Sequence, residues 1–190
     1  MYCTSKYLLI FIICFFNLKQ ISAQKPILPD FHADPSAHFW DGKYWIYPST
    51  YEKGSTDWTQ MKRWHTYSSI DLVSWKNEGE IFNLERVYWV KNSAFAPDAM
   101  KWKGKYYFFF PAEFKIGVAI SNTPYGPFKD ALGKPLIKKE AVKDVSSFDL
   151  HIFIDNDKTP YLLYGGGNGV VVAKLKDNLT EIDGEIKKLS

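Results

Sequence analysis

A pattern that occurs three times along the chain constrains the fold more than any other feature of the sequence. Each copy opens with an aspartate and a short strand-like segment, passes through a tight polar turn, and enters a second segment dense in aromatic and aliphatic residues. A third strand-like segment and a more polar tail complete the copy. The opening aspartates are Asp34, Asp98 and Asp149, which lie 64 and 51 residues apart. Such a period indicates a repeat architecture built from small antiparallel sheets.

The strand-like segments fall at comparable positions in the three copies. They span 34–39, 41–47 and 65–69; 97–102, 103–110 and 116–121; and 149–154, 161–164 and 170–175, with tails at 72–76, 125–129 and 179–182. We therefore predict an all-β protein, an incomplete β-propeller of about three four-stranded blades. The alternative is an antiparallel sandwich in which the similarity between the copies is coincidental.

The first segment of the chain has the features of a secretory signal peptide. Lys6 precedes an apolar run of ten residues, 7–16, and the small residues Ser22 and Ala23 follow where a signal peptidase would cut. The alternative, a membrane anchor, needs about 20 apolar residues to cross a bilayer. We predict a signal peptide at 1–23, a propeller domain at 24–190, no membrane span in the mature chain, and a secreted or periplasmic location.

Removing residues 1–23 changes what the composition implies. Both cysteines, Cys3 and Cys14, are lost, which excludes disulfides and cysteine metal sites from the mature chain. The net charge falls from +3 to +1, because Lys6 and Lys19 leave and no acidic residue does. No block of basic residues remains to bind nucleic acid. Together with an aromatic content of 17%, export and near-neutrality favour a neutral ligand such as a carbohydrate.

The three opening aspartates are candidates for a shared site. The innermost strand of every propeller blade lines the central channel, so Asp34, Asp98 and Asp149 are expected to converge at one mouth of it. Carboxylates that share a site raise one another's pKa, which suits acid–base chemistry on a glycosidic bond. The alternative is structural, because an aspartate before a strand often caps a turn through its side chain.

At these residues the sequence resembles glycoside hydrolase family 43, the five-bladed β-propeller arabinofuranosidases, xylosidases and arabinanases. The resemblance covers the N-terminal portion of that fold and essentially the whole mature chain. It is carried by motifs at 26–36, 67–75, 95–98, 116–121, 124–128 and 148–155. The resemblance implies an inverting hydrolase that acts on arabinose- or xylose-containing plant polysaccharides or oligosaccharides.

The resemblance also implies roles for particular residues. Asp34 matches the general base, and Asp149 matches the residue that tunes the pKa of the acid and orients it. Asp98 matches a pocket carboxylate that accepts hydrogen bonds from sugar hydroxyls. Phe95 stands where the family usually has Trp, so it is a candidate for the sugar-binding wall, with packing between blades as the alternative. Leu150 replaces the usual Pro, which affects how rigidly Asp149 is held.

The general acid has no candidate in this sequence. In the family it is a Glu of a later blade, within a Glu-Gly-Pro-like motif, and Glu181 and Glu185 fall instead in the tail of the third copy. We therefore expect a truncated or split gene product that is poorly soluble and inactive by itself. The alternative function is a non-catalytic carbohydrate-binding propeller fragment.

No cofactor is predicted from the sequence. The four histidines, His32, His38, His65 and His151, lack the spacing of a metal site, so we interpret them as loop or packing residues. A structural calcium or another ion at the centre of the channel stays an open alternative.

Overall fold

A computed structural model describes residues 26–55, 57–166 and 168–189. The predicted signal peptide lies outside the described residues. Within them the chain forms twelve strands arranged in three four-stranded antiparallel sheets, each with its strands in sequence order. None of the described helices is long and apolar enough to cross a membrane.

The three sheets follow one another along the chain. Sheet 1 contains β1 (His32–Trp40), β2 (Lys43–Thr50), β3 (Arg63–Ser69) and β4 (Lys76–Asn83). Sheet 2 contains β5 (Asp98–Trp102), β6 (Lys105–Ala112), β7 (Lys115–Ser121) and β8 (Lys129–Asp130). Sheet 3 contains β9 (His151–Ile154), β10 (Pro160–Gly166), β11 (Gly169–Leu175) and β12 (Ile182–Lys188). Two short 3-10 helices lie at Trp58–Gln60 and Leu84–Arg86.

Tight turns set the register of the first hairpin in sheets 1 and 2. In sheet 1, Trp40 pairs with Lys43 across a two-residue turn, Asp41-Gly42, and both turn residues have positive φ, 53° and 75°. In sheet 2 the turn is Lys103-Gly104, with φ of 49° and 76°. Two consecutive residues with positive φ are typical of the hairpin turn that matches the twist of the flanking strands. Asp-Gly and Lys-Gly therefore mark the strand ends in the sequence.

Strand β6 holds the three sheets together because it is buried on both faces. Phe108 and Phe110 belong to the core between sheets 1 and 2, while Tyr107 and Phe109 belong to the core between sheets 2 and 3. Alternate residues of a strand point to opposite faces, so one run of aromatic residues supplies both cores. Sheet 2 is therefore stacked between its two neighbours.

The first strand of each sheet lies on the inside of the stack. Strand β1 contacts β5, and β5 contacts β9. Asp98 begins β5, Asp149 lies two residues before the start of β9, and Asp34 lies near the start of β1. Radial stacking of this kind brings residues from distant parts of the chain to the same end of the molecule.

The fourth strands differ from the predicted positions. The polar segments 72–76 and 179–182 are mostly turns, and β4 and β12 begin where these segments end. In the first copy the turn is fixed by Asp71, whose carboxylate accepts hydrogen bonds from the backbone N–H groups of Val73 and Ser74. This local bonding competes with strand pairing, so pairing starts only after the turn.

Candidate active site

A surface depression of about 410 Å³ lies where the first strands of the three sheets meet. Its lining comes from all three sheets: Asp34, Pro35, Ser36, Ala96, Pro97, Asp98, Asp149, Leu150 and His151. The structure thus brings the three opening aspartates to one place. Phe95, the remaining predicted site residue, does not line the depression but precedes Ala96, which does.

Asp34 and Asp149 both occupy an unusual backbone conformation. Their φ values are 47° and 41°, in the left-handed region that residues other than glycine seldom adopt. Asp34 also lies in an irregularity of the β1–β2 pairing, between Ala33 and Ser36. A bulge of this kind re-aims the side chain of the extra residue. Turn residues such as Asp41 and Lys103 share this conformation, so what distinguishes Asp34 and Asp149 is that they adopt it beside the depression.

The surroundings of Asp34 favour its protonated form. Partial burial raises the pKa of Asp34, and the nearby negative charge of Asp149 raises it further. Both effects follow from the cost of a charge that is desolvated or close to a like charge. A carboxylate whose pKa lies above the usual range is a better proton acceptor than an ordinary exposed one.

Asp98 is buried and links the three sheets. Its Oδ1 lies 2.7 Å from Nε2 of His38 on β1. The same oxygen accepts a hydrogen bond of 2.7 Å from the backbone N–H of Ala99, the next residue of β5. Its Oδ2 lies 2.9 Å from Nδ1 of His151 and accepts from the Ile152 N–H at 2.9 Å, both on β9. One carboxylate thus ties β1, β5 and β9 together, and we call His38, Asp98 and His151 the inter-sheet clamp.

Hydrogen bonds within the clamp shift the pKa values of Asp98 and His151. Burial by itself would raise the pKa of Asp98, but the hydrogen bonds from His151 and His38 outweigh burial and hold this pKa well below its usual range. The same hydrogen bond to Asp98 raises the pKa of His151, against the opposing effect of burial. The clamp therefore favours a carboxylate at its centre, facing a histidine that is readily protonated.

Phe95 lies within a group of aromatic side chains. It is 6% exposed, and its ring centroid lies 5.3 Å from that of Trp58 and 5.0 Å from that of Phe148. Its carbonyl oxygen accepts a hydrogen bond of 2.8 Å from Nε1 of the buried Trp64. Packing thus accounts for most of the Phe95 surface, and its predicted part in a sugar-binding wall stays a prediction.

Comparison with known proteins identifies the family. The sequence profile described as "Glycosyl hydrolases family 43" matches residues 23–190. The chain belongs to this family. A β-D-galactofuranosidase of Aspergillus niger is 31% identical over 182 residues, which cover 88% of this chain and 52% of that protein. A xylosidase/arabinosidase of Humicola insolens is 36% identical over 148 residues, which cover 70% of this chain and 43% of that protein.

A solved structure confirms the fold of this family 43 chain. The GH43_1 enzyme from Xanthomonas citri, in complex with xylose, superposes with a TM-score of 0.75 at 26% identity. The match covers 87% of this chain and 57% of that one. The all-β fold is thus an incomplete propeller of the family 43 type, and the sandwich alternative is wrong. The chain spans about half the length of the relatives it matches.

The inter-sheet clamp of this family 43 chain is not predicted from the sequence. His38 and His151 were interpreted as loop or packing residues, yet both bond to Asp98. Their signal in the sequence is a histidine close behind two of the opening aspartates, four residues after Asp34 and two after Asp149. The predicted role of Asp98 as an acceptor for sugar hydroxyls stays a prediction, while each of its oxygens already accepts two hydrogen bonds within the protein.

Across 26–55, 57–166 and 168–189, no group of three or more His, Cys, Asp or Glu side chains is arranged to hold a metal ion.

The electrostatics of Asp34 predict a pH dependence. In its predicted role as general base Asp34 would work in its ionised form, so turnover is expected to fall as the pH drops through the raised pKa of Asp34. Asp149→Asn removes the like charge and is expected to move this acidic limb to lower pH, leaving only the effect of burial. The measurement is kcat/KM against pH for an activated pentoside. An acidic limb at the same pH in the variant would show that Asp149 does not act on Asp34.

Proposed function

We propose that this chain carries the base side of the active site of an inverting glycoside hydrolase. The observation that carries the proposal is the depression shared by Asp34 and Asp149, in which the pKa of Asp34 is raised. Asp34 would take a proton from a water molecule as that water attacks the anomeric carbon on the face opposite the leaving group. The product would then have the inverted anomeric configuration.

Asp149 would act on the leaving-group side of the same depression. The resemblance gives it the task of tuning and orienting the general acid, and inverting enzymes separate base and acid by about 6.5–9.5 Å to leave room for water. Asp149 belongs to the segment before β9 and Asp34 to β1, so the two carboxylates reach the depression from different sheets. A sugar placed between them would have a carboxylate on each side.

The names of the relatives support a sugar substrate for the depression. The Humicola insolens relative is a xylosidase/arabinosidase, and the Xanthomonas citri structure holds xylose. We therefore propose arabinose- or xylose-containing plant polysaccharides or oligosaccharides as substrates. The Aspergillus niger relative is a β-D-galactofuranosidase, so a galactofuranoside belongs in the test set.

We further propose that the protein is exported. The match to the family profile begins at residue 23, beside the predicted cleavage site after Ala23. In this proposal the apolar run at 7–16 directs export and is cleaved off ahead of the propeller domain.

The decisive experiment uses sugars whose leaving group departs without a proton, because the sequence offers no candidate for the general acid. Dinitrophenyl glycosides and glycosyl fluorides of xylose, arabinofuranose and galactofuranose are incubated with the protein, and proton NMR follows the anomer released first. The expectation that the chain is inactive by itself rests on the missing general acid, so a donor that needs no acid is expected to release a pentose with inverted configuration. Retention of configuration would contradict the proposed mechanism. Saturable binding of pentose oligosaccharides without release of sugar from any donor would assign the chain to the carbohydrate-binding alternative.

A further inference from the structure

Four aromatic side chains form a continuous ridge beside the depression. The ring centroids of Trp58 and Phe95 are 5.3 Å apart, those of Phe95 and Phe148 are 5.0 Å apart, and those of Phe148 and Phe114 are 4.9 Å apart. We call Trp58, Phe95, Phe148 and Phe114 the aromatic ridge. Trp58 is its most exposed member at 47%.

The strand pairing places the aromatic ridge at the same end of the sheets as the candidate active site. Thr50, the last residue of β2, pairs with His32, two residues before Asp34, and the loop that carries Trp58 follows directly. Phe148 immediately precedes Asp149, and Phe95 immediately precedes Ala96 of the depression. Trp58 therefore packs on Phe95, the residue that directly precedes Ala96 of the depression.

Hydrogen bonds hold the Trp58 loop in place. Asp57 caps the 3-10 helix by accepting from the Thr59 N–H at 2.9 Å, and it also accepts from Gln60 Nε2 at 3.0 Å. The carbonyl of Thr59 accepts from the Ser93 N–H at 3.1 Å, which fastens the loop to the segment leading to Phe95. A half-exposed Trp held in this way loses little conformational freedom when a ligand covers it.

The chemistry of an exposed indole face fits a sugar ring. A pentose presents one face of C–H groups, which packs against an aromatic ring, and hydroxyls at its edge that stay in water. The depression between Asp34 and Asp149 is taken by the sugar whose bond is broken. Trp58 is thus the exposed aromatic side chain that a further residue of the same carbohydrate would meet beyond Phe95.

We propose that Trp58 is a stacking platform for the sugar residue on the leaving-group side of the scissile bond, and that it gives this chain a preference for oligosaccharides over simple glycosides. The inference rests on the proposed function, because it needs the scissile sugar in the depression. It makes Trp58 a specificity-determining residue rather than a catalytic one.

The test compares Trp58→Ala with Trp58→Phe, and Tyr125→Ala is the matched control. Tyr125 is 48% exposed and stacks on Trp45, but it follows β7 at the opposite end of the sheets. Calorimetry measures Kd for xylotetraose, arabinotetraose and the two monosaccharides, all in an Asp34→Asn background that prevents hydrolysis. Trp58→Ala is expected to weaken tetrasaccharide binding about tenfold and to leave monosaccharide binding unchanged. Trp58→Phe is expected to restore most of the affinity, and Tyr125→Ala to change nothing.

Two results would overturn the proposed role of Trp58 as a stacking platform. One is an unchanged tetrasaccharide Kd in Trp58→Ala, and the other is an equal loss for tetrasaccharide and monosaccharide. If the protein with native Trp58 releases pentose from activated donors, either result rejects the proposed role of Trp58 and leaves the proposed function standing. If it binds no sugar and releases none, the proposed function fails and the platform fails with it.

Discussion

Asp34→Asn is expected to lower the turnover of a dinitrophenyl pentoside by about 10²–10⁴-fold, the usual contribution of a positioned proton acceptor. The amide has nearly the same shape as the carboxylate but cannot take a proton from the attacking water. Asp34 lines the depression together with Asp149, and partial burial and the charge of Asp149 raise its pKa, which makes it a better proton acceptor. Steady-state kcat/KM for the activated donor gives the size of the effect.

The control for this change is Asp183→Asn. Asp183 pairs with Lys174 on the surface of sheet 3, with Nζ and Oδ2 2.8 Å apart. It carries the same chemical change away from the depression, so turnover is expected to match that of the unmodified protein. Calorimetric binding of xylose or arabinose in Asp34→Asn should be retained. Undiminished turnover in Asp34→Asn would remove Asp34 from the reaction.

Asp98→Ala is expected to destabilise the fold by about 3 kcal/mol or more, the scale seen when one partner of a buried charged network is removed. The change leaves the Ile152 N–H without its acceptor and cuts the bonds to His38 and His151. Since the carboxylate is 1% exposed, water cannot readily replace it. Chemical denaturation monitored by tryptophan fluorescence measures the loss.

The surface change Asp183→Asn again serves as the control and should leave the denaturation midpoint in place. Asp98→Asn adds a finer comparison, because the amide keeps one acceptor oxygen but presents an NH₂ group to neighbouring donors. It is expected to be destabilising as well, although less than the alanine. A denaturation midpoint unaffected by Asp98→Ala would mean that the inter-sheet clamp does not hold the sheets together.

The contribution of the inter-sheet clamp to the stability of the fold is expected to depend on pH. The lowered pKa of Asp98 contributes stability above its ordinary value of 3.8 and loses it as the pH falls towards the folded-state pKa. The raised pKa of His151 contributes stability below its ordinary value of 6.5 and loses it as the pH rises through the folded-state pKa. The difference in stability between the unmodified protein and Asp98→Ala should therefore be largest between pH 3.8 and 6.5 and decline on both sides.

Much of the fold could be predicted from the sequence because it is encoded locally. The Asp-Gly turn and the aromatic run of β6 each specify a hairpin or a buried strand from neighbouring residues alone. The fourth strands were misplaced because their start depends on pairing with the third strands. In sheet 1 the β3–β4 register shifts twice, between Trp64 and His65 and between Thr66 and Tyr67, and no residue pattern announces these shifts.

The candidate site was only partly predictable for a related reason. The convergence of Asp34, Asp98 and Asp149 follows from the repeat, which places the same residue type at the same position of each sheet. The hydrogen bonds of Asp98 do not follow from it, because His38 and His151 lie 60 and 53 residues away. Those partners depend on the rotation between neighbouring sheets, a tertiary property without a local signature.

The placement of Asp34 and Asp149 on different sheets has a consequence for how the protein folds. Each sheet is built from consecutive hairpins, whose contacts are local in the sequence, whereas both cores form only between sheets. The constellation around the depression exists only while the sheets are docked, and it is lost when they separate. A carbohydrate that touches both carboxylates binds only the docked state, and it therefore shifts the folding equilibrium towards that state by mass action.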